Sequence, residues 1–220
     1  GCRSLWVGQV LPVGTAALLL HKLFGIQYLV LTHGLDVIGP QPGSRRARLR
    51  DSVLRSAWLV IANSEYTKHY LCSIGVPEEK ILLLQPGCSF HGTEADMLSV
   101  KAMRERFQLS GTTTMLTVAR LVRRKGIDTV LEALAHVHQD MKNVGYLIVG
   151  DGPERAKLEE QARGLGLNHV VHFLGAVDEA LLPTLYALSD VFVLTPHASA
   201  DSRDPEGFCI VYLVANAFGK

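Results

Sequence analysis

Eight short runs of leucine and β-branched residues punctuate this chain, each apolar at successive positions rather than alternate ones. Such runs suit strands buried on both faces of a sheet. They fall at 6–10, 27–32, 58–62, 81–84, 115–119, 146–149, 170–174 and 191–194. Helical patterns fill the intervals at 12–24, 45–57, 65–73, 96–107, 126–138, 154–163, 178–188 and 207–217. Strand–helix repetition of this kind implies parallel sheets with helices on both faces, an α/β protein. The rhythm lapses once, in "QPGCSFHGTEADML" and the later "SGTTT". This lapse divides the chain into domains at 1–88 and 112–220, with a linker region at 89–111.

A hydrophobic content of 48% supplies a core for each domain, and a net charge of +1 offers no broad basic face for nucleic acid. Cys2, Cys72, Cys88 and Cys209 show no CxxC pair and no zinc-ligand spacing. They read as reduced thiols of a cytoplasmic protein, with no metal site. The long apolar stretch from Val10 is broken at His21 and Lys22, short of the ~20 residues of a spanning helix. The chain begins with Gly1, so sequence is expected to precede it.

In open parallel sheets, ligands bind beyond the carboxyl ends of the strands. After "MLTVA" stand Arg120 and Lys125, which either neutralise one anionic group at a helix N-terminus or form a solvated basic loop. After "YLIVG" come Gly150 and Gly152, a tight strand-to-helix turn or a phosphate-approaching loop. A dinucleotide fingerprint is incomplete, because Arg155 stands where a third glycine belongs. His33 follows "QYLVLT" and either reaches a substrate or is structural; Ser64 reads as the N-cap of the helix at 65–73. Before the closing apolar run, the amides of Gly207, Phe208 and Cys209 would suit a phosphate, and the Glu206 carboxylate a polyol. Ile210 and Val211 permit a strand there, whereas Ala215, Asn216, Ala217 and Gly219 favour a packed helix.

Taken in order, Arg-x4-Lys-Gly at 120–126, "VGDGP", "HFLGAV", "LYALSDVFVLTP" and "EGFCIVYLVANAFGK" resemble the donor-binding half of the retaining GT-B glycosyltransferases of family 4, the glycosyl transferases group 1. "VLPVGTAALLL", "THGLD" and "VIANSEYTKHYL" are similar to the later part of that family's acceptor domain. The wording "THGLDV" with "EGFCIVYL" is most similar to bacterial mannosyltransferase-like members.

The resemblance implies two Rossmann-like domains and metal-independent transfer of a hexose from a nucleoside diphosphate sugar, with retention. A glycan or lipid-linked molecule is the implied acceptor, with peripheral association at the inner face of a membrane. By position, Arg120 and Lys125 would neutralise the diphosphate. Glu206 would hold the donor sugar, with Gly207, Phe208 and Cys209 near sugar and phosphate. Gly152 would approach the donor, Val177 would border the base, and His33 would stand at the reacting centre.

Two departures from the pattern matter. Val214 occupies the place of the family's second glutamate, which binds the ribose, and Pro86-Gly87-Cys88-Ser89 replaces Pro-Gly-Val-Asp. The family's glycine-rich first loop has no counterpart, so the chain is expected to be a fragment, inactive by itself. Two alternatives stay open: a GT-B sugar-nucleotide epimerase, and a non-catalytic sugar-nucleotide or glycan-binding relative.

Overall fold

The computed structural model describes residues 4–88, 96–197 and 208–220. Two compact units emerge, one from the residues up to Gly87 and one centred on 96–197 and 210–220.

The first unit runs β1 (Ser4–Val7), α1 (Val13–Phe24), β2 (Gln27–Thr32), α2 (Leu35–Ile38), α3 (Arg45–Ser56), β3 (Leu59–Ala62), α4 (Glu65–Ser73) and β4 (Ile81–Leu83). Its sheet is parallel throughout, in the order β1-β2-β3-β4. Local chemistry sets the helix boundaries. Ser44 Oγ accepts the Ala47 amide and Ser64 Oγ that of Thr67, so both α3 and α4 begin on side-chain caps. Gly25, left-handed at φ 68°, ends α1 and releases the chain into β2. Val30, Val53, Leu54, Val60 and Leu71 are wholly buried in the core.

Two buried polar groups tie the helices down, one to the sheet and one to each other. The Tyr28 hydroxyl donates to Val53 O at 2.6 Å, and burial pushes its pKa up to about 12. Arg50, only 2% exposed, donates to Val37 O and Tyr70 Oη and pairs with Asp51 at 2.7 Å, which joins α2, α3 and α4. The short α2 escaped the periodicity reading, because four residues carry no helical period. The first strand stops at Val7 rather than running to Val10, since the chain turns at Gly8 and Gln9 O accepts the Gly14 amide.

The second unit runs α5 (Met97–Arg106), β5 (Thr113–Val118), α6 (Ile127–Asp140), β6 (Val144–Val149), α7 (Arg155–Gly164), β7 (Val171–Gly175), α8 (Leu182–Leu188), β8 (Val191–Phe192) and α9 (Ile210–Ala217). Its sheet is parallel in the order β7-β6-β5-β8, and all six residues of the central β6 are buried. The stretch read as linker is structured in part. Asp96 caps α5 through the Leu98 and Ser99 amides, and Val100 and Leu109 join the core around Leu116 and Leu147.

The last strand is short for a chemical reason. Val193 N donates to Leu116 O, but side-chain hydroxyls then replace the ladder: Thr117 Oγ1 takes Val193 O, and Tyr212 Oη takes Leu194 O at 2.6 Å. Its other end is fixed by Asp190, whose carboxylate accepts the Thr114 amide while its own amide donates to Thr114 O. The closing run is a helix from Ile210, as its small residues suggest.

Candidate functional site

The candidate site is built from the backbone at the carboxyl ends of β5 and β6. Beyond β5 the Ala119 amide donates to Val149 O and the Leu121 amide to Asp151 O; the Glu154 amide returns a bond to Leu121 O. Two loops thus lie side by side, and glycine is what lets them touch. A Cβ on Gly150, at φ 125°, would collide with Ala119 O, and one on Gly152 would collide with Leu121 O. Gly152, expected to approach the donor, therefore makes room for the neighbouring loop. The Gly150 amide donates to Gly175 O at 2.8 Å, which adds the end of β7 to the same edge.

Arg120 lies between those anchored residues with its side chain exposed and without an ion pair among the described residues. Three residues on, Arg123–Lys125 form a single 3-10 turn ahead of α6, and left-handed Gly126 starts the helix. Lys125 thus sits in the turn before the helix rather than opening it. It is 9% exposed, which corrects the expectation of a solvated basic loop at that residue. The turn is fastened from one side: Thr195 Oγ1 donates to Gly126 O at 2.6 Å, and the His197 amide donates to Arg124 O at 3.0 Å. A Cβ on Gly126 would strike Thr195 O. The sequence reading missed Thr195, whose only local signal is a hydroxyl just past a strand end.

Chemically, this edge presents four cations in six residues, Arg120, Arg123, Arg124 and Lys125, on a backbone held by neighbouring loops. Preorganised positive charge of this kind suits an anion whose charge grows during a reaction. Val177, expected beside the base, is half-buried against the core formed by Leu185 and Tyr186. Phe208 and Cys209 are half-buried just ahead of α9; Glu206 and Gly207 lie outside the described residues.

Val214 brings a correction. Expected at the ribose, it is 7% exposed and belongs to the apolar cluster of Leu116, Leu147, Leu185 and Leu188. Its helix is oriented by aromatic contacts: Phe218 stacks on Tyr186 at 5.3 Å, and Tyr212 meets Phe192 edge-on at 5.8 Å. With that face turned to the core, valine matches its surroundings and a carboxylate would not.

In the first unit, His33 is exposed at the carboxyl end of β2, as its place in the sequence suggested. Its backbone amide donates to Asp36 Oδ1 at 2.9 Å, and its ring Nε2 lies 3.2 Å from Gly8 O, so the ring bridges the ends of β2 and β1. Gly34, at φ 92°, permits the sharp exit from the strand. Burial raises the Asp36 carboxyl from its ordinary value, partly offset by the His33 amide. Asp36 was not singled out from the sequence; an acidic residue three positions after a strand-end histidine was the available signal. Among the described residues no cluster of three metal-ligating side chains occurs.

Comparison with known proteins decides the family. Residues 100–220 match the family described as Glycosyl transferases group 1, and residues 7–90 match Glycosyltransferase Family 4. The chain belongs to the group 1 glycosyl transferases. Within that family it is 30% identical, over 99% of its length, to the GDP-mannose-dependent alpha-(1-6)-phosphatidylinositol monomannoside mannosyltransferase of Mycobacterium tuberculosis, of which it covers 56%. The alpha-D-kanosaminyltransferase of Streptomyces kanamyceticus is 24% identical over 80% of the chain, which covers 48% of that enzyme. Among solved structures, Anabaena Alr3699/HepE in complex with UDP superposes with a TM-score of 0.83 at 23% identity, over 99% of this chain and 58% of that one. The backbone likeness is thus to GT-B glycosyltransferases. This group 1 chain spans a little over half the length of the mannosyltransferases it matches.

Proposed function

We propose that the protein transfers a hexose, mannose in our reading, from a nucleoside diphosphate sugar to a glycan or lipid-linked acceptor with retention at the anomeric carbon. The observation that carries this reading is the cationic segment from Arg120 to Lys125, held on a strand-end edge by glycine contacts and by Thr195. In the reaction the bond from the anomeric carbon to the diphosphate oxygen breaks as the acceptor oxygen forms its own. The acceptor's proton leaves with the diphosphate or to solvent. Negative charge grows on the departing phosphate, where fixed cations lower the barrier more than they aid ground-state binding. Arg120 and Lys125 would supply that charge without a metal or other cofactor. By family position, Glu206 would grip the donor sugar with Gly207, Phe208 and Cys209 alongside, and His33 would face the reacting centre.

Mannose is supported by the likeness to GDP-mannose-dependent relatives across nearly the whole chain. A lipid-linked acceptor would draw the protein to the inner face of a membrane as a peripheral partner. No helix among the described residues is long and apolar enough to cross one. Full-length protein incubated with GDP-mannose, or with UDP-glucose, and a phosphatidylinositol mannoside acceptor tests the reading, with the product's anomer read by NMR. Transfer of mannose with the anomeric configuration kept is the expected result. Nucleotide binding without turnover of either donor would overturn the transferase reading in favour of a non-catalytic sugar-nucleotide binder.

A further inference from the structure

We propose that Arg155 is a positioning residue that sets the loop at 175–177 for the base of the nucleotide; this rests on the transferase reading, in which Val177 borders that base. Arg155 is the first residue of α7, on the strand-end edge of the second unit. Its charge opposes the helix there, because a helix N-terminus favours anions, and α7 has no acidic residue in its first turn. Two carboxylates nonetheless converge on it. Glu159 Oε1 accepts its Nε at 2.8 Å, and Asp151 Oδ2 lies 3.6 Å from its Nη1. Asp151 is itself fixed, since its Oδ1 accepts the Gly152 amide at 2.7 Å. Helix stability does not account for this arrangement: arginine ahead of glutamate is the weaker order for a pair four residues apart. A cation neutralised from two sides is also a poor phosphate ligand, which sets Arg155 apart from the exposed Arg120.

The guanidinium meets the exit of β7 instead. A Cβ on Gly175 would stand 3.0 Å from Arg155 Nη1, and Gly175, at φ 70°, is in the left-handed region that glycine enters freely. Gly175 O accepts the Gly150 amide at 2.8 Å, so this residue is held between the loop after β6 and the arginine. Two residues on, Val177 packs against the core of Leu185 and Tyr186. Ala176, between these anchors, is exposed. The acids fix the guanidinium plane, and the plane fixes the loop. Exposed ion pairs add little to stability, so the effect of this frame falls on binding. A base that settles on a preset loop loses less freedom than one that must first order it.

Full-length protein and its Arg155 variants are titrated by calorimetry with GDP and with inorganic pyrophosphate, which carries two phosphates and no base. Arg155→Ala should weaken GDP binding about tenfold, leave pyrophosphate binding unchanged and shift Tm little. Arg155→Lys should recover only part of the loss, because an ammonium lacks the planar fork. Donor KM should rise with the GDP dissociation constant while kcat holds. A double-mutant cycle reads the contact itself: Gly175→Ala should do less harm to GDP binding in the Arg155→Ala background, where the group it meets is gone. Equal losses of GDP and pyrophosphate would make Arg155 a phosphate ligand and overturn the inference. So would additive effects of the two substitutions, or full recovery by lysine. GDP bound equally by the unaltered and Arg155→Ala proteins sinks this inference alone, whereas no GDP binding by the unaltered protein sinks the transferase reading.

Discussion

At Arg120 and Lys125 the same charge sits in two different settings, so their replacements separate catalysis from stability. Arg120→Ala removes an exposed side chain and should lower kcat/KM of the full-length protein by ~10²-fold with little change in Tm. Lys125→Ala should lower kcat/KM similarly and also lower Tm, because a 9% exposed side chain leaves a gap. Turnover that survives both changes would return the turn to a structural role. Asp36 gives a pH signature. Its carboxyl is raised by burial, so the folded state holds its proton more tightly than the unfolded chain does. Its contribution to stability is therefore complete below the ordinary carboxylate value of about 4 and is lost as pH rises through the raised one. Asp36→Asn keeps an oxygen for the His33 amide and should be the more stable protein at neutral pH, with the advantage fading as pH falls towards 4. An advantage that grows in acid would show that the carboxylate is held by a partner instead. Val214→Glu is the third case: a carboxylate among Leu116, Leu147 and Leu185 should lower Tm by several degrees or prevent folding of the second unit. A variant with unchanged Tm and tighter GDP binding would put the residue back at the ribose.

Among the elements, the turn at 123–126 shows what the sequence could and could not tell. The strands and helices around it were legible because buried parallel strands and amphipathic helices leave different periods, and Ser64 was legible as a cap because capping is local. The loops were not, since what fixes them comes from far along the chain. Gly126 is bound to Thr195, 69 residues away, and the role of Gly150 and Gly152 depends on carbonyls of another loop. Val214 misled for the same reason: a motif position says which residue aligns, not which face of α9 the ring stack of Tyr186 and Phe218 turns inward. Gly126→Ala should therefore be far more harmful than an ordinary surface change, since it combines left-handed backbone with a collision. Thr195→Val keeps the shape, drops one hydrogen bond and should reduce kcat more than it weakens GDP binding, with Thr195→Ser restoring most of the loss. Equal and small effects of Gly126→Ala and Thr195→Val on GDP binding and kcat would remove the fastening from the account.

On the scale of the whole molecule, each sheet is covered by side chains from its own unit. Leu54→Ala, at a fully buried position, should cost about 2–5 kcal/mol. Hydrogen exchange should show the loss in β1 to β4 and leave β5 to β7 protected; a uniform loss would mean that the two cores melt as one. The bridge between β5 and β8 carries a consequence for how the chain is made. Thr114 waits for Asp190, 76 residues later, for both of its cross-strand partners. At ordinary ribosomal synthesis rates that interval lasts roughly 4–15 s, far longer than a sheet takes to collapse. On the ribosome, then, β5 is born with one open flank, and a nascent chain stalled before residue 190 should offer that flank to chaperones or to a neighbouring nascent chain.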